Sequence, residues 1–449
     1  MDPKSFYLVS LGCAKNTVDA DSITSLMVEA GYTPVEKPNR AGLLIVNTCG
    51  FIQQSRQESL DELRSLAKRK KQGQKLIAAG CLTERYREQV VAKVPGVDAI
   101  LGTRRWMDIL DVVQQVRSNP PKPLYHLPET TGVGTDERGI LRAAIQGGSA
   151  YLKIADGCRR PCAFCSIPLI KGDLVSRPAQ TIIHEAQILE SKGIQEVILI
   201  AQDTTDYGHD LGIKDGLPAL LEGILAATSI PWIRVLYAYP GYVTDRLIDV
   251  MASNPRILPY LDMPLQHAHP DTLLRMRRPA NMDWVYDTLA KMRKAIPGLA
   301  LRSTFIVGYP GESEHEFQTL LDFLKEVQLD RVSAFMFSFE EGTASEPLGD
   351  PIPEKIKLFR YQQLMMVQAV ISKQKNQAFI GKTLPVLVEG YDNGLSIGRT
   401  YRDAPEVDGM VFIEGQLPVG KILPVLIGGT WQEHDLTGVP AETISMSKK

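Results

Sequence analysis

Six cysteines in 449 residues constrain this chain more than any other feature, because of where they fall. Three form the run Cys158-Arg-Arg-Pro-Cys162-Ala-Phe-Cys165, directly after the apolar stretch 151–155. The other three, Cys13, Cys49 and Cys81, stand far apart. A chain of this length buries a sizeable core without disulfide staples, so a bridging framework is not expected. Three thiolates on one short loop can hold three corners of a cubane iron–sulfur cluster and leave its fourth iron without a protein ligand. Zinc is the alternative. A tetrahedral zinc site needs a fourth ligand, and no histidine follows at finger-like spacing; His184, the nearest downstream, falls on a predicted helix face.

The lone cysteines share a pattern. Through residue 145, short apolar runs at 6–11, 43–48, 75–80 and 99–102 alternate with helical spacing at 19–30, 55–70 and 84–92. That alternation predicts a doubly wound α/β layer with a parallel sheet covered on both faces. Cys13 (SLGC), Cys49 (NTCG) and Cys81 (AAGC) each follow a predicted strand. Sites in open parallel sheets form beyond the carboxyl ends of the strands, so three thiols remote in sequence can converge there. Three unrelated buried cysteines are the plainer reading of each taken singly. The basic run 68–71 reads as a solvated helix end that complements the helix dipole.

From 146 to 377 a strand–helix pattern repeats, with strand-like runs at 151–155, 196–202, 233–237, 258–263, 301–307 and 332–337. Six βα units suit a partial, open (βα)6 TIM-like barrel, whose chemistry sits at the carboxyl ends of its strands. A long helix is predicted at 353–377. Residues 378–449 turn all-β, with short strands at 383–389, 395–401, 410–414 and 421–428, as in a small barrel.

Composition excludes some classes of function. Lys+Arg 50 against Asp+Glu 52 gives a net charge of -2, so no overall positive charge holds this chain on nucleic acid. No apolar run approaches the length of a membrane helix, and a cytosolic location is expected. Residues 380–449 carry six cations (Lys382, Arg399, Arg402, Lys421, Lys448, Lys449) and nine acids (Glu389, Asp392, Asp403, Glu406, Asp408, Glu414, Glu433, Asp435, Glu442). The segment GRTYRDAPEVDG places three of these acids within six residues. Such a surface should repel RNA and attract a basic protein.

The cysteine run, with an aromatic before its last member and a partial barrel behind it, resembles the radical S-adenosylmethionine enzymes. SLGCAKN, VNTCGFI, GDLVSRP, AQDTTDYG, PLQHAHP and RSTFIVGYPGE narrow the resemblance to the methylthiotransferases and, within them, to the RimO branch. Ala14, His269 and Tyr309 depart from commoner residues of that pattern, and none is a cysteine. The resemblance implies three domains: 1–145 with an auxiliary 4Fe-4S cluster on Cys13, Cys49 and Cys81; 146–377 with the radical cluster on Cys158, Cys162 and Cys165; and a TRAM-like (OB-like) barrel at 378–449. It implies S-adenosylmethionine bound at the open iron, with Phe164, Gln202 and Thr304 near the cofactor. His267 is a candidate for the wall of the substrate pocket, with a packed histidine behind that wall as the alternative. The implied reaction is methylthiolation of an aspartate β-carbon in small-subunit ribosomal protein twelve, free or in the assembled subunit. A sulfur donor and an electron donor such as flavodoxin or ferredoxin are implied partners, and no direct contact with tRNA is expected. The rivals are a tRNA adenosine methylthiotransferase and a non-enzymatic iron–sulfur protein that binds RNA.

Overall fold

The computed structural model describes residues 2–441 apart from 119, 121 and 129–138. Glu442, Lys448 and Lys449 of the charge count lie outside the described residues.

The amino-terminal sheet has six parallel strands in the order Thr33–Pro34, Ser5–Ser10, Leu43–Thr48, Lys75–Gly80, Ala99–Gly102, Leu124–His126. Alternate residues of each strand feed opposite faces. Ile45, Ile77 and Leu101 pack under helices Ala14–Glu29 and Ile109–Arg117. Leu44, Val46 and Ala78 pack under Gln53–Arg69 and Cys81–Lys93. The layer is therefore doubly wound. Its strand order reverses between Ser5–Ser10 and Leu43–Thr48, the place where such folds open a crevice. The basic run ends Gln53–Arg69, where Lys70 pairs with Asp98 at 2.7 Å.

The central sheet is an open, curved array of six parallel strands: Ser149–Lys153, Glu196–Ile200, Trp232–Val235, Ile257–Asp262, Ala300–Val307 and Arg331–Met336. A seventh strand, Ala143–Gln146, adds to its edge antiparallel to Ser149–Lys153 through the Gly147-Gly148 turn. Leu152, Leu199, Val235, Leu261 and Leu301 point out to the helices. Tyr151, Ile198, Leu236, Tyr260 and Ala300 point inward. The long helix Glu354–Gln377 leads to a closed five-stranded barrel, Thr383–Asp392, Leu395–Thr400, Val411–Glu414, Asp435–Pro440 and Ile422–Trp431, around Val386, Val411, Ile413, Val425 and Ile427. No described helix is long and apolar enough to cross a membrane.

One expectation is overturned. GRTYRDAPEVDG is not an acidic surface loop, because all its charges except the exposed Glu406 plug the inside of the central barrel. Asp403 holds Arg331 at 2.5 Å, and Asp408 takes Arg302 at 3.2 Å and the Tyr260 hydroxyl at 2.7 Å. Arg399 reaches Glu196 at 2.6 Å, and Arg402 reaches Asp330 at 3.2 Å. Buried charges survive only when paired, and these pairs weld the small barrel to the large one. Exposed on the small barrel remain two cations, Lys382 and Lys421, against four acids, Asp392, Glu406, Glu414 and Glu433. The surface is still acidic, but through residues mostly outside that loop.

Candidate active site

The three remote cysteines meet at the carboxyl edge of the amino-terminal sheet. Cys13 caps the start of helix Ala14–Glu29, Cys49 follows Leu43–Thr48, and Cys81 opens Cys81–Lys93. Glycine makes their approach feasible: a Cβ on Gly12 would sit 2.8 Å from the Cys49 Cβ. Asn16 laces the three loops together. Its Nδ2 donates to the Leu11 and Thr48 carbonyls at 2.9 and 3.1 Å, and its Oδ1 accepts from the Cys81 thiol at 3.4 Å. Cys13 is exposed, whereas Cys49 and Cys81 are buried. Burial pushes the Cys49 thiol up and the Cys81 thiol to about 12, with Lys171 opposing the latter.

Behind Cys81 lies a fully buried charge cluster that joins the two domains. Asp19 accepts from Lys153 at 2.5 Å, Arg142 at 2.6 Å and Lys171 at 2.9 Å, and Lys153 also holds Asp156 at 3.1 Å. Three cations face two carboxylates. The surplus positive charge sits where thiolates of a metal site would add negative charge, so the donor set and its surroundings fit an anionic cluster.

The cysteine triplet lies on a loop at the mouth of the central barrel. Gly157 starts it at φ +75°, where a Cβ would meet the Asp173 carbonyl at 1.9 Å. The Cys158 amide donates to the Gly172 carbonyl at 3.0 Å and the Ala163 amide to the Met276 carbonyl at 2.8 Å. Arg160 ties the loop to Asp203 at 2.6 Å and stacks over Tyr242 at 3.5 Å. Burial raises Cys158 to about 11 and Cys165 to about 12. Thiols held this high bind metal only by losing protons that the free protein keeps, which couples loading to pH. Arg278 donates to the Cys162 sulfur at 3.3 Å while lying over the Tyr239 ring at 4.4 Å. The triplet adjoins the remote cysteines: the Ser166 hydroxyl, one residue past Cys165, donates to the Phe51 carbonyl, two residues past Cys49, at 3.3 Å.

Phe164 is half-buried against Met276, Ile306, Tyr309 and Phe337, beside the triplet. Gln202 sits just past the strand Glu196–Ile200, with Nε2 3.5 Å from Asp156 and a buried Oε1 that has no partner. Thr304 is on the inward face, where its hydroxyl accepts from Arg302 at 3.3 Å. His267 does not line an open pocket. It is completely buried, Nε2 faces Glu312 at 3.3 Å and Nδ1 accepts the His269 amide at 3.0 Å, so the packed alternative describes it. The sequence reading missed Asn16, Arg278 and Lys15. The Lys15 ammonium reaches into the barrel mouth, 3.2 Å above the centre of the Tyr237 ring and 3.4 Å from the Ala201 carbonyl. Tyr237 and Gln266, with φ of 63° and 74°, are left-handed non-glycine residues at strand ends; such strain concentrates at working sites.

Family models match an uncharacterized protein family, UPF0004, over residues 5–102, the radical SAM superfamily over 152–324 and the TRAM domain over 380–440. Among curated proteins, the ribosomal protein uS12 methylthiotransferase RimO of Chloroflexus aurantiacus is 46% identical, covering 94% of this chain and 96% of its own. The protein of that name from Roseiflexus sp. (strain RS-1) is 45% identical, with 97% of each chain covered. Among solved structures, the radical S-adenosylmethionine methyltransferase TsrM of Kitasatospora setae superposes with a TM-score of 0.57 at 12% identity, over 76% of this chain and 77% of that one, a likeness of fold. On this near full-length identity the chain belongs to the RimO family of radical S-adenosylmethionine methylthiotransferases.

Proposed function

We propose that the protein methylthiolates the β-carbon of an aspartate in ribosomal protein uS12, in the cytosol, using two 4Fe-4S clusters and S-adenosylmethionine. The observation that carries the two-cluster reading is the contact of the two cysteine-bearing loops, where the Ser166 hydroxyl donates to the Phe51 carbonyl at 3.3 Å. Cys158, Cys162 and Cys165 would hold the radical cluster; Cys13, Cys49 and Cys81 would hold the auxiliary one. An aspartate β-hydrogen is too weakly acidic for a side-chain base; the reduced cluster and S-adenosylmethionine, when bound, would supply radical hydrogen abstraction in its place. The chain's own residues bind, orient and exclude water. Arg278 steadies the Cys162 sulfur, and Arg160 and Asp203 fix the loop on the barrel. Gln202, with its unpartnered Oε1, and Thr304 would contact the cofactor from the strand ends, and Phe164 would shield the cluster. A reduced flavodoxin or ferredoxin and a sulfur donor complete the reaction.

The choice of protein over tRNA is supported by the acidic exposed face of the small barrel, since RNA contact calls for surplus cations. An anaerobic assay of the reconstituted, reduced protein with S-adenosylmethionine and sulfide, offering the uS12 loop peptide and tRNA together, tests the reading. Methylthiolation of the peptide is expected. Methylthiolation of tRNA alone would keep the chemistry and overturn the substrate.

A further inference from the structure

We propose that Lys15 receives the side-chain carboxylate of the substrate aspartate, an inference that rests on the substrate reading above. Lys15 stands two residues past Cys13, on the first turn of Ala14–Glu29, and its side chain crosses from the amino-terminal layer into the barrel mouth. The groups it meets there are the Ala201 carbonyl and the Tyr237 face, at the carboxyl ends of the adjacent strands Glu196–Ile200 and Trp232–Val235.

Its neighbours are differently provided for. Lys153, Lys171, Arg142 and Arg302, the buried cations of the same face, each hold at least one aspartate within 3.0 Å. Among the described residues, Lys15 forms no ion pair. A carbonyl and a ring compensate an ammonium drawn out of water less well than a carboxylate does. The unpartnered Gln202 Oε1 follows Ala201 directly, so acceptor and donor capacity are both left over at one place. Tyr237 is held at φ 63°, a conformation that costs a bulky residue energy and that sets its ring under the ammonium.

The location gives the charge a purpose. An aspartate β-carbon is one bond from its carboxyl carbon. A carboxylate on Lys15 therefore places the reacting carbon beside Cys13 on one side and the barrel mouth on the other. It also sets a specificity: an asparagine, or a neutral nucleobase, brings no anion to this lysine and loses the charge-assisted hydrogen bond.

A binding cycle with reconstituted full-length protein tests this. Dissociation constants for the uS12 loop peptide and its Asp→Asn counterpart are measured by fluorescence anisotropy for the wild type, Lys15→Met and Lys15→Arg, with iron content and circular dichroism checking that each variant is loaded and folded. The wild type should prefer the aspartate peptide by about tenfold, the scale of one charge-assisted hydrogen bond. Lys15→Met should bind both peptides equally, and Lys15→Arg should recover part of the preference. A full aspartate preference in Lys15→Met overturns the assignment, as does a wild type that does not distinguish the peptides. If Lys15→Met fails to load iron, Lys15→Gln replaces it in the cycle. A wild type that binds neither peptide and modifies neither overturns the substrate reading itself, an outcome distinct from the other two.

Discussion

Replacing Asp19 by asparagine keeps the shape of the side chain and removes one charge from a cluster that water does not reach. In the native chain, Asp19 accepts from Lys153, Arg142 and Lys171, all within 2.9 Å, and these four groups are almost wholly buried. Burial alone would raise the Asp19 pKa, but Lys153, Lys171 and Arg142 outweigh it and hold the carboxyl well below the usual carboxylate range. In the Asp19→Asn variant, three buried cations face Asp156 alone. Breaking a buried ion pair on one side costs about 3–5 kcal/mol, because it strands the partner. In a protein of this size that lowers the melting temperature by about 3–5 °C. The pH dependence has a definite sign. A carboxyl depressed on folding contributes stability that is present above its unfolded pKa of about 3.9 and is lost as pH falls below it, by about 1.4 kcal/mol per unit. Urea unfolding followed by circular dichroism should show a wide gap between wild type and Asp19→Asn at pH 7 and a narrower one at pH 3. A variant within about 1 kcal/mol of the wild type at pH 7 would refute the reasoning, as would a gap equally wide at pH 3.

Other perturbations separate the parts of the site. Cys162→Ala should lose about half the bound iron and all 5′-deoxyadenosine formation, whereas Cys81→Ala should lose the other half, keep 5′-deoxyadenosine and form no methylthiolated product; iron analysis and chromatography of the products check both. Arg278→Met withdraws the N–H donor from the Cys162 sulfur and should lower the potential of that cluster by tens of millivolts in a redox titration followed by electron paramagnetic resonance, about 59 mV for each tenfold in the one-electron equilibrium. Burial raises Asp21 to about 6, so ionising it costs stability as pH climbs from its unfolded pKa through 6. Asp21→Asn should therefore raise stability at pH 7 by about 1–2 kcal/mol, with no gain at pH 4, in the same urea experiment.

The legible parts of this fold were those where local pattern and tertiary role agree. The runs at 43–48, 75–80 and 99–102 are short, apolar and closed by Gly or Asn, and each is a strand with those bounds. Thr33–Pro34 and Leu124–His126 were not visible, because two- and three-residue edge strands carry no periodic signal. Ala143–Gln146 could have been found from the Gly147-Gly148 pair that turns it back on Ser149–Lys153. The last strand, Asp435–Pro440, hid behind Gly438 and Pro440, and its neighbour ran on past glycine to Trp431 because a bulge at Ile427/Gly429 absorbs the irregularity. The cysteines announced themselves by spacing. The charged residues did not, since Asp403 and Asp408 look like any acidic loop until Arg331 and Arg302, 72 and 106 residues away, are brought against them. Lys15 was concealed in the same way: between Cys13 and Asn16 it reads as a solvated helix start, and only the docking of two domains puts it over Tyr237.

The central claim is that the radical formed at the triplet site acts on an aspartate β-carbon. A uS12 loop peptide carrying aspartate deuterated at the β-carbon, turned over anaerobically with S-adenosylmethionine and sulfide, tests it by mass spectrometry of both products. The account predicts deuterium in 5′-deoxyadenosine and a methylthio group on the same aspartate. Methylthiolated peptide with no deuterium in 5′-deoxyadenosine, or 5′-deoxyadenosine formed at full rate with the peptide unchanged, would contradict it.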